Sequence, residues 1–220
     1  MKQLALGIGL DAELGLDDSV AGRNVELHQT LRQMLAGTGP ERLVYVWGGP
    51  GSGRTHMLRA CEVEGRRRGQ SVHRWDGRSG VPPGASLLLV DDVDCLGAPE
   101  QIELFHEINR IRDGGCGRMI VAGSAPPASL DLRDDLRTRL GAGLVFQLHP
   151  LTDEQKTVAL SRHARARGLD MPEDVARYLL THSDRDLRAL LQTLDRLDRG
   201  ALERQRPLTL PLLRDVLRDI

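Results

Sequence analysis

The chain has 220 residues, a formal net charge of −1, 40% hydrophobic residues and 28% charged residues. That length holds one large domain or two smaller ones with proper cores, and a near-neutral balance without a Lys/Arg-rich tail excludes a protein whose main task is a non-specific grip on nucleic acid. Three cysteines without CxxC spacing exclude a disulfide framework and a zinc site and point to a reducing cytosol; no apolar run approaches the roughly 20 residues of a membrane span, and Asp11 and Glu13 cut short an opening that otherwise mimics a signal peptide.

Residues 3–8, QLALGI, place Gln3, Leu4, Leu6 and Ile8 on a short segment. Extended, it offers apolar side chains and one amide to a groove; equally, it reads as a disordered start with a few leucines. Gly9 to Asp18 lacks periodicity and reads as a tether. From Asn24 to Ala36 the residues Val25, Leu27, His28, Leu31 and Leu35 recur with helical spacing, and Gly37-Thr38-Gly39-Pro40 stops the run. Leu43 to Trp47 is then an apolar strand.

GGPGSGRT, Gly48 to Thr55, follows that strand and precedes a helical run beginning near Ser52. Its four glycines, Gly48, Gly49, Gly51 and Gly53, let backbone N–H groups turn inward, and the helix adds its positive end, so an anion of pyrophosphate size is the natural occupant. Against the phosphate-loop pattern GxxxxGK[ST] the chain matches at Gly48, Gly53 and Thr55 and departs at Arg54, which stands where lysine is expected. Arginine keeps the positive charge, but its planar fork cannot set a point charge in the ammonium's place. Nucleotide binding is expected to survive; fast hydrolysis by this site alone is not. Read in isolation, the motif is an ordinary glycine-rich loop, and its context decides.

The next helix carries Met57, Leu58 and Cys61 and ends at Gly65-Arg66-Arg67-Arg68-Gly69, an arginine run that reads either as an anion contact or as a solvated helix end with cations at the negative pole. Ser71 to Trp75 forms a short strand and Val81-Pro82-Pro83-Gly84 breaks the chain. Leu87 to Val90 has the continuous apolar character of a strand buried on both faces and ends in Asp91-Asp92. In an open α/β sheet that edge binds ligands. Asp91 is placed to hold Mg2+ through water together with Thr55; Asp92 occupies the position of a base that orients water, one methylene shorter than a glutamate. Alone, such an acid pair is a surface turn; downstream of a phosphate loop it reads as functional. Ile102 to Ile111 is helical, Met119 to Ala122 is another buried strand, and Ser124 at its tip reads as a γ-phosphate sensor or as a cap. A helical run with Arg133, Arg137 and Arg139 leads into the strand Leu144–Leu148. Beyond Pro150 the pattern is all helical: Asp153 to Arg167, Pro172 to His182, Asp184 to Arg199 with leucines at 187, 190, 191, 194 and 197, and a last helix with Leu213, Val216, Leu217 and Ile220.

A phosphate loop, a strand-end acid pair, a polar strand-end residue, an arginine before the next strand and a helical lid together resemble the AAA+ ATPases, and within them the DnaA-related replication family and its Hda group of initiator regulators. The resemblance spans essentially the whole chain. It implies an α/β class: an AAA+ domain over residues 19–150 with a parallel five-stranded sheet, a four-helix lid over 151–220, and a clamp-binding peptide with tether over 1–18. It implies an arginine finger at Arg139, in a segment Arg137 to Leu144 similar to the family's; a lid arginine at Arg185, in Ser183 to Leu187; a segment near the nucleotide base at Gly22-Arg23-Asn24; and docking of Gln3, Leu4, Leu6 and Ile8 on the β sliding clamp of DNA polymerase III. The cofactors implied are ADP or ATP with Mg2+. The partners implied are the DnaA initiator, the clamp and, through the clamp, DNA, with a homo-oligomer allowed and no membrane; the location is cytoplasmic. The function implied is negative regulation of replication initiation, by stimulating hydrolysis of initiator-bound ATP in trans, with little or no ATPase activity of the chain itself. The resemblance leads to the expectation that, unlike the initiator, the chain lacks a helix-turn-helix segment after the lid. The alternatives are a helicase-loader or transposition-accessory ATPase that binds single-stranded DNA, a self-sufficient small NTPase, and a clamp-bound scaffold with no catalytic effect.

Overall fold

The five apolar runs pair into one parallel sheet. In the computed structural model, which describes residues 15–78, 80–81, 84–182, 187–204, 209–211 and 213, the strands are β1 (Leu43–Trp47), β2 (Val72–Trp75), β3 (Leu87–Val90), β4 (Arg118–Gly123) and β5 (Leu144–Gln147), in the order β2-β3-β4-β1-β5. Every residue of β3 is buried, and β4 is buried from Met119 onward. Both faces of the sheet are covered, so successive side chains enter two different cores. Val44, Val46, Leu87, Leu89, Ile120 and Ala122 pack with α1 (Val25–Ala36) and α2 (Arg54–Arg67). Tyr45, Leu88, Val90, Met119 and Val121 pack with α3 (Ala98–Arg112) and α4 (Asp134–Gly141).

Two features lie outside the helical and strand patterns of the sequence. Short 3-10 turns at Val93–Cys95 and Pro127–Ser129 follow β3 and β4. The segment expected to be a tether as far as Asp18 has already joined the fold at Leu16, which is completely buried against the α1 and α2 core. Leu10, Leu14 and Leu16 stand among glycines and acids with no clear period to single one out, and the burial of Leu16 is supported by Arg32–Asp17 and Arg67–Asp18 ion pairs at 2.6 and 3.1 Å. The arginine run is likewise engaged within the chain: besides Arg67, Arg66 pairs with Glu62 at 2.6 Å and Arg68 with Glu64 at 2.7 Å.

The lid follows β5. Its first helix, α5 (Asp153–Ala166), starts in a capping box in which Thr152 and Gln155 each bond the other's backbone N–H. With α6 (Glu173–His182) and α7 (Leu187–Arg204) it encloses a separate core that includes Leu160, Val175, Leu179, Leu190, Leu194 and Leu197. Leu190, Leu194 and Leu197 of the α7 leucine stripe are therefore core. Leu213 enters the same core, whereas Val216, Leu217 and Ile220 lie outside the described residues, as do Arg185 and residues 3–8. Asp195 on α7 ties the helices together, accepting from His163 at 3.1 Å and Arg167 at 2.7 Å. Among the described residues no helix is long and apolar enough to cross a membrane.

Candidate nucleotide site

Because all five strands run the same way, the turns after β1, β3 and β4 open on one edge of the sheet. The turn after β1 is Gly48 to Gly53, running into the first turn of α2. Gly51 and Gly53 have φ of +73° and +97°, values that side-chain-bearing residues rarely adopt. A Cβ added at Gly49, Gly51 or Gly53 would meet nothing within 4 Å, so the hollow beside this turn is bounded by backbone. Ser52 is buried, and its Oγ has no hydrogen-bond partner among the described residues. An anion fits both features: it takes the N–H groups at the start of α2 and gives Oγ an acceptor. Gly49, Gly51, Ser52, Gly53, Arg54 and Thr55 line this hollow, with His56 and Leu187 of the lid beside them.

A second, mostly apolar hollow adjoins it. Val20, Met57, Leu148, Leu151, Ala159 and Leu191 form its walls, so it lies between the segment before α1, α2, the end of β5 and the lid. Asn24 closes one side: its amide donates to the His149 carbonyl at 2.9 Å and accepts from the His149 N–H at 2.8 Å. Gly22 packs close to Leu151 and Gln155, and Arg162 of α5 donates to the Asp18 and Ser19 carbonyls; Arg23 is exposed. Two histidines border the hollow. Burial, followed by repulsion from His163, Arg59 and His28, pushes His56 down to about 4, and burial followed by Arg32 lowers His28. His56 is therefore uncharged at neutral pH beside an apolar space suited to a flat aromatic group. These histidines carried no functional signal in the sequence, where His28 reads only as part of a helical stripe.

The strand-end polar residues are tied together in a way the sequence does not reveal. Arg54 does not extend along the glycine turn. Its Nη1 donates to the Gly48 carbonyl at 2.5 Å and the Gly123 carbonyl at 2.9 Å, and its Nη2 donates to Asp92 Oδ1 at 3.0 Å. One guanidinium thus joins the ends of β1, β4 and β3, three neighbours in the sheet. Asp92 is the one residue other than glycine with positive φ, +44°, among the described residues. Burial raises its carboxyl above the usual range, Asp91 adds to that, and Arg54 pulls it back. Asp91 accepts the Asp92 N–H at 3.1 Å and faces Arg74 at 3.8 Å. Asp91 and the Thr55 hydroxyl supply only oxygen donors, the type Mg2+ prefers; among the described residues no group of three His, Cys, Asp or Glu side chains is arranged to hold a metal. Ser124 is exposed at the end of β4, its N–H bonded to Asp94 Oδ1 at 3.0 Å.

Arg139 lies elsewhere. It belongs to the last turn of α4 and borders a groove formed by Leu43, Met119, Ala142 and Gly143, residues at the opposite, amino edge of the sheet. A strand of five residues separates the edges by roughly 16 Å. Arg139 packs over Phe105, with 5.8 Å from its guanidinium carbon to the ring centre, and has no carboxylate partner among the described residues. Its neighbours differ: Arg133 is bidentate to Asp135, and Arg137 bonds Asp134 and the Leu130 carbonyl.

Comparison with known proteins places this geometry. Residues 153–217 match the family model of the Hda lid domain. Domain III of the replication initiation protein DnaA from Thermotoga maritima superposes with a TM-score of 0.76 at 21% identity, covering 93% of this chain and 95% of that one. AMPPCP-bound DnaA from Aquifex aeolicus gives 0.67 at 21%, covering 86% and 66%. The RuvB Holliday junction branch migration motor of Thermotoga maritima gives 0.66 at 15%, covering 93% and 71%. At these identities the likeness is one of fold, and it is the AAA+ fold expected from the motifs. Residues 153–217 thus match an Hda-type lid, and the chain as a whole shares the fold of DnaA domain III.

Proposed function

We propose that this protein regulates the initiation of DNA replication, holding an adenine nucleotide to shape itself while Arg139 acts on ATP bound to a DnaA-type partner. The observation that carries the reading is the placement of Arg139. It stands a strand length from the chain's own glycine turn, on a partly exposed surface, and is free of the acid partners that occupy Arg133 and Arg137. A guanidinium in that position serves a neighbouring subunit's phosphates, and such a residue supplies on the order of a thousandfold in phosphoryl-transfer rate.

The chain's own site favours holding a nucleotide over turning it over. The glycine cradle, the unpartnered Ser52 Oγ and the apolar hollow beside His56 fit a nucleoside phosphate, and the fold is shared with DnaA bound to AMPPCP. Gly48 to Thr55 would hold the phosphates, Thr55 and Asp91 the Mg2+, and Ser124 and the lid residue Arg185 would report on them. Bound nucleotide supplies anionic charge that draws the turn and the lid together. Arg54 and Asp92, which stand where a lysine and a water-orienting acid would be needed, are engaged with each other, so intrinsic hydrolysis is weak or absent. The peptide containing Gln3, Leu4, Leu6 and Ile8 would dock on the β sliding clamp and raise the local concentration near loaded DNA.

A reconstituted assay with initiator, clamp, DNA and this protein tests the scheme. The wild-type chain accelerates hydrolysis of initiator-bound ATP; Arg139→Ala, still binding nucleotide, does not. Full stimulation by that variant removes the finger assignment. Unchanged clamp retention after deletion of residues 1–10 removes the docking assignment.

A further inference from the structure

Asp91, the acid that would hold Mg2+, already faces a cation. Both of its oxygens have partners: Oδ1 accepts the Asp92 N–H at 3.1 Å, and Oδ2 lies 3.8 Å from Arg74 Nη2. Arg74 comes from the edge strand β2, where it stands opposite Leu89 of β3. Its other terminal nitrogen, Nη1, lies 3.9 Å from Glu62 Oε2 on α2. The Glu62 and Asp91 side chains are only 15% and 18% exposed, so each carboxylate needs a cation close by. Arg66 serves Glu62 at 2.6 Å, whereas Arg54 is directed to Asp92 and two carbonyls; the guanidinium facing Asp91 is that of Arg74. At nearly equal distances, it is shared between two acids and closes on neither.

We propose that Arg74 sets how far this site depends on a divalent cation: its guanidinium supplies at Asp91 the positive charge that Mg2+ would otherwise bring, so the metal binds weakly and the nucleotide is held nearly as well without it. The inference rests on the nucleotide-binding reading given above. Mg2+ sheds its waters reluctantly and relies on one or two carboxylates. To use Asp91 it must stand beside a guanidinium, and the two cations repel. The glycine turn and Ser52 Oγ do not share that dependence, because N–H and O–H donors take phosphate oxygens directly. Glu62 has the opposite influence to Arg74: by sharing the guanidinium, it holds it back from Asp91. Arg74 and Glu62 are thus positioning residues that act on the metal through Asp91, with opposite sign.

The test uses the full chain and two readouts. One is ADP affinity, from displacement of a fluorescent adenine nucleotide in Mg2+ and in EDTA; the other is the affinity of the ADP-loaded chain for Mn2+, read by electron spin resonance. The wild-type chain binds ADP nearly as tightly in EDTA as in Mg2+. Arg74→Gln tightens Mn2+ by about tenfold, the low end of what a neighbouring arginine does to a carboxylate's hold on a proton, and opens a gap of the same order between ADP affinity in Mg2+ and in EDTA. Arg74→Lys keeps the charge and stays close to the wild type. Glu62→Gln lets Arg74 close on Asp91 and weakens Mn2+, which provides a reading of opposite sign if the Arg74→Gln variant does not fold. Unchanged Mn2+ affinity in Arg74→Gln or in Glu62→Gln, or wild-type ADP binding that is lost in EDTA, overturns the role of Arg74 while leaving the nucleotide site intact. Failure of the wild-type chain to bind ADP in either condition overturns the nucleotide site itself.

Discussion

Asn24 and His149, 125 residues apart, exchange two hydrogen bonds of 2.9 and 2.8 Å and so fasten the start of α1 to the exit of β5, where the chain passes into the lid. Asn24 is 5% exposed, so truncation leaves the His149 N–H and carbonyl unpaired in a largely buried place. Asn24→Ala is expected to cost about 2–4 kcal/mol, at roughly 1–2 kcal/mol for each orphaned group. That lowers the melting temperature by about 5–10 °C for a chain of this size. Asn24→Asp keeps the acceptor and loses the donor, so its melting temperature falls between the two. A calorimetric scan of the three proteins without nucleotide checks the order.

Gly48 and Gly49 are neighbours with opposite tolerance. A Cβ at Gly48 would lie 2.6 Å from Ser52 Oγ and 2.8 Å from the Leu148 carbonyl, whereas one at Gly49 would meet nothing within 4 Å. Gly48→Ala therefore forces main chain apart and is expected to destabilise the protein by about 1–3 kcal/mol, as overpacking does. It should also weaken adenine-nucleotide binding by at least about tenfold. Gly49→Ala leaves urea unfolding of the ligand-free chain within about 0.5 kcal/mol of wild type, which separates a requirement of the fold from one of the ligand.

The difference between those two glycines shows where sequence reasoning ends. The motif identified the turn, and the apolar runs identified the strands, because a buried parallel strand and a phosphate turn are local patterns. Leu190, Leu194 and Leu197 revealed the core face of α7 for the same reason. Arg54 could be recognised as a departure from lysine, but its contacts with Gly123 and Asp92 span 69 and 38 residues, and nothing near position 54 encodes them. Leu16, the Asp94 bond to the Ser124 N–H and the Asn24–His149 pair were hidden in the same way. Each depends on which loops the sheet order brings to a common edge.

Arg139→Ala should separate activity from stability. The side chain packs on Phe105 and satisfies no buried acceptor among the described residues, so its removal is expected to change unfolding free energy by no more than about 1 kcal/mol, the scale of a half-exposed cation–π contact. Stimulated hydrolysis of partner-bound ATP is expected to fall by about a thousandfold, or to the unstimulated rate. Arg137→Ala is the control with the reverse pattern: it breaks bonds to Asp134 and to the Leu130 carbonyl, lowering stability while leaving Arg139 in place. Parallel melting and single-turnover hydrolysis measurements distinguish the two.

His56 makes the fold sensitive to moderate acid. Burial is the first reason that its imidazole is pushed down to about 4 from 6.5, with His163, Arg59 and His28 adding repulsion, and its place in the first turn of α2 further disfavours a cation. Between pH 6.5 and 4 the unfolded chain takes a proton at this position that the folded chain refuses. Stability from this group is therefore complete above pH 6.5 and declines as pH falls toward 4, by up to about 3 kcal/mol across the window. His28, lowered first by burial and then by Arg32, acts in the same direction. His56→Gln cannot be protonated, so subtracting its urea unfolding free energy from that of wild type at pH 7, 6 and 5 isolates the term, other titrating groups being common to both. The wild-type chain should lose stability relative to the variant at each step down; parallel pH profiles would show that His56 ionises as readily in the folded chain as in the unfolded one.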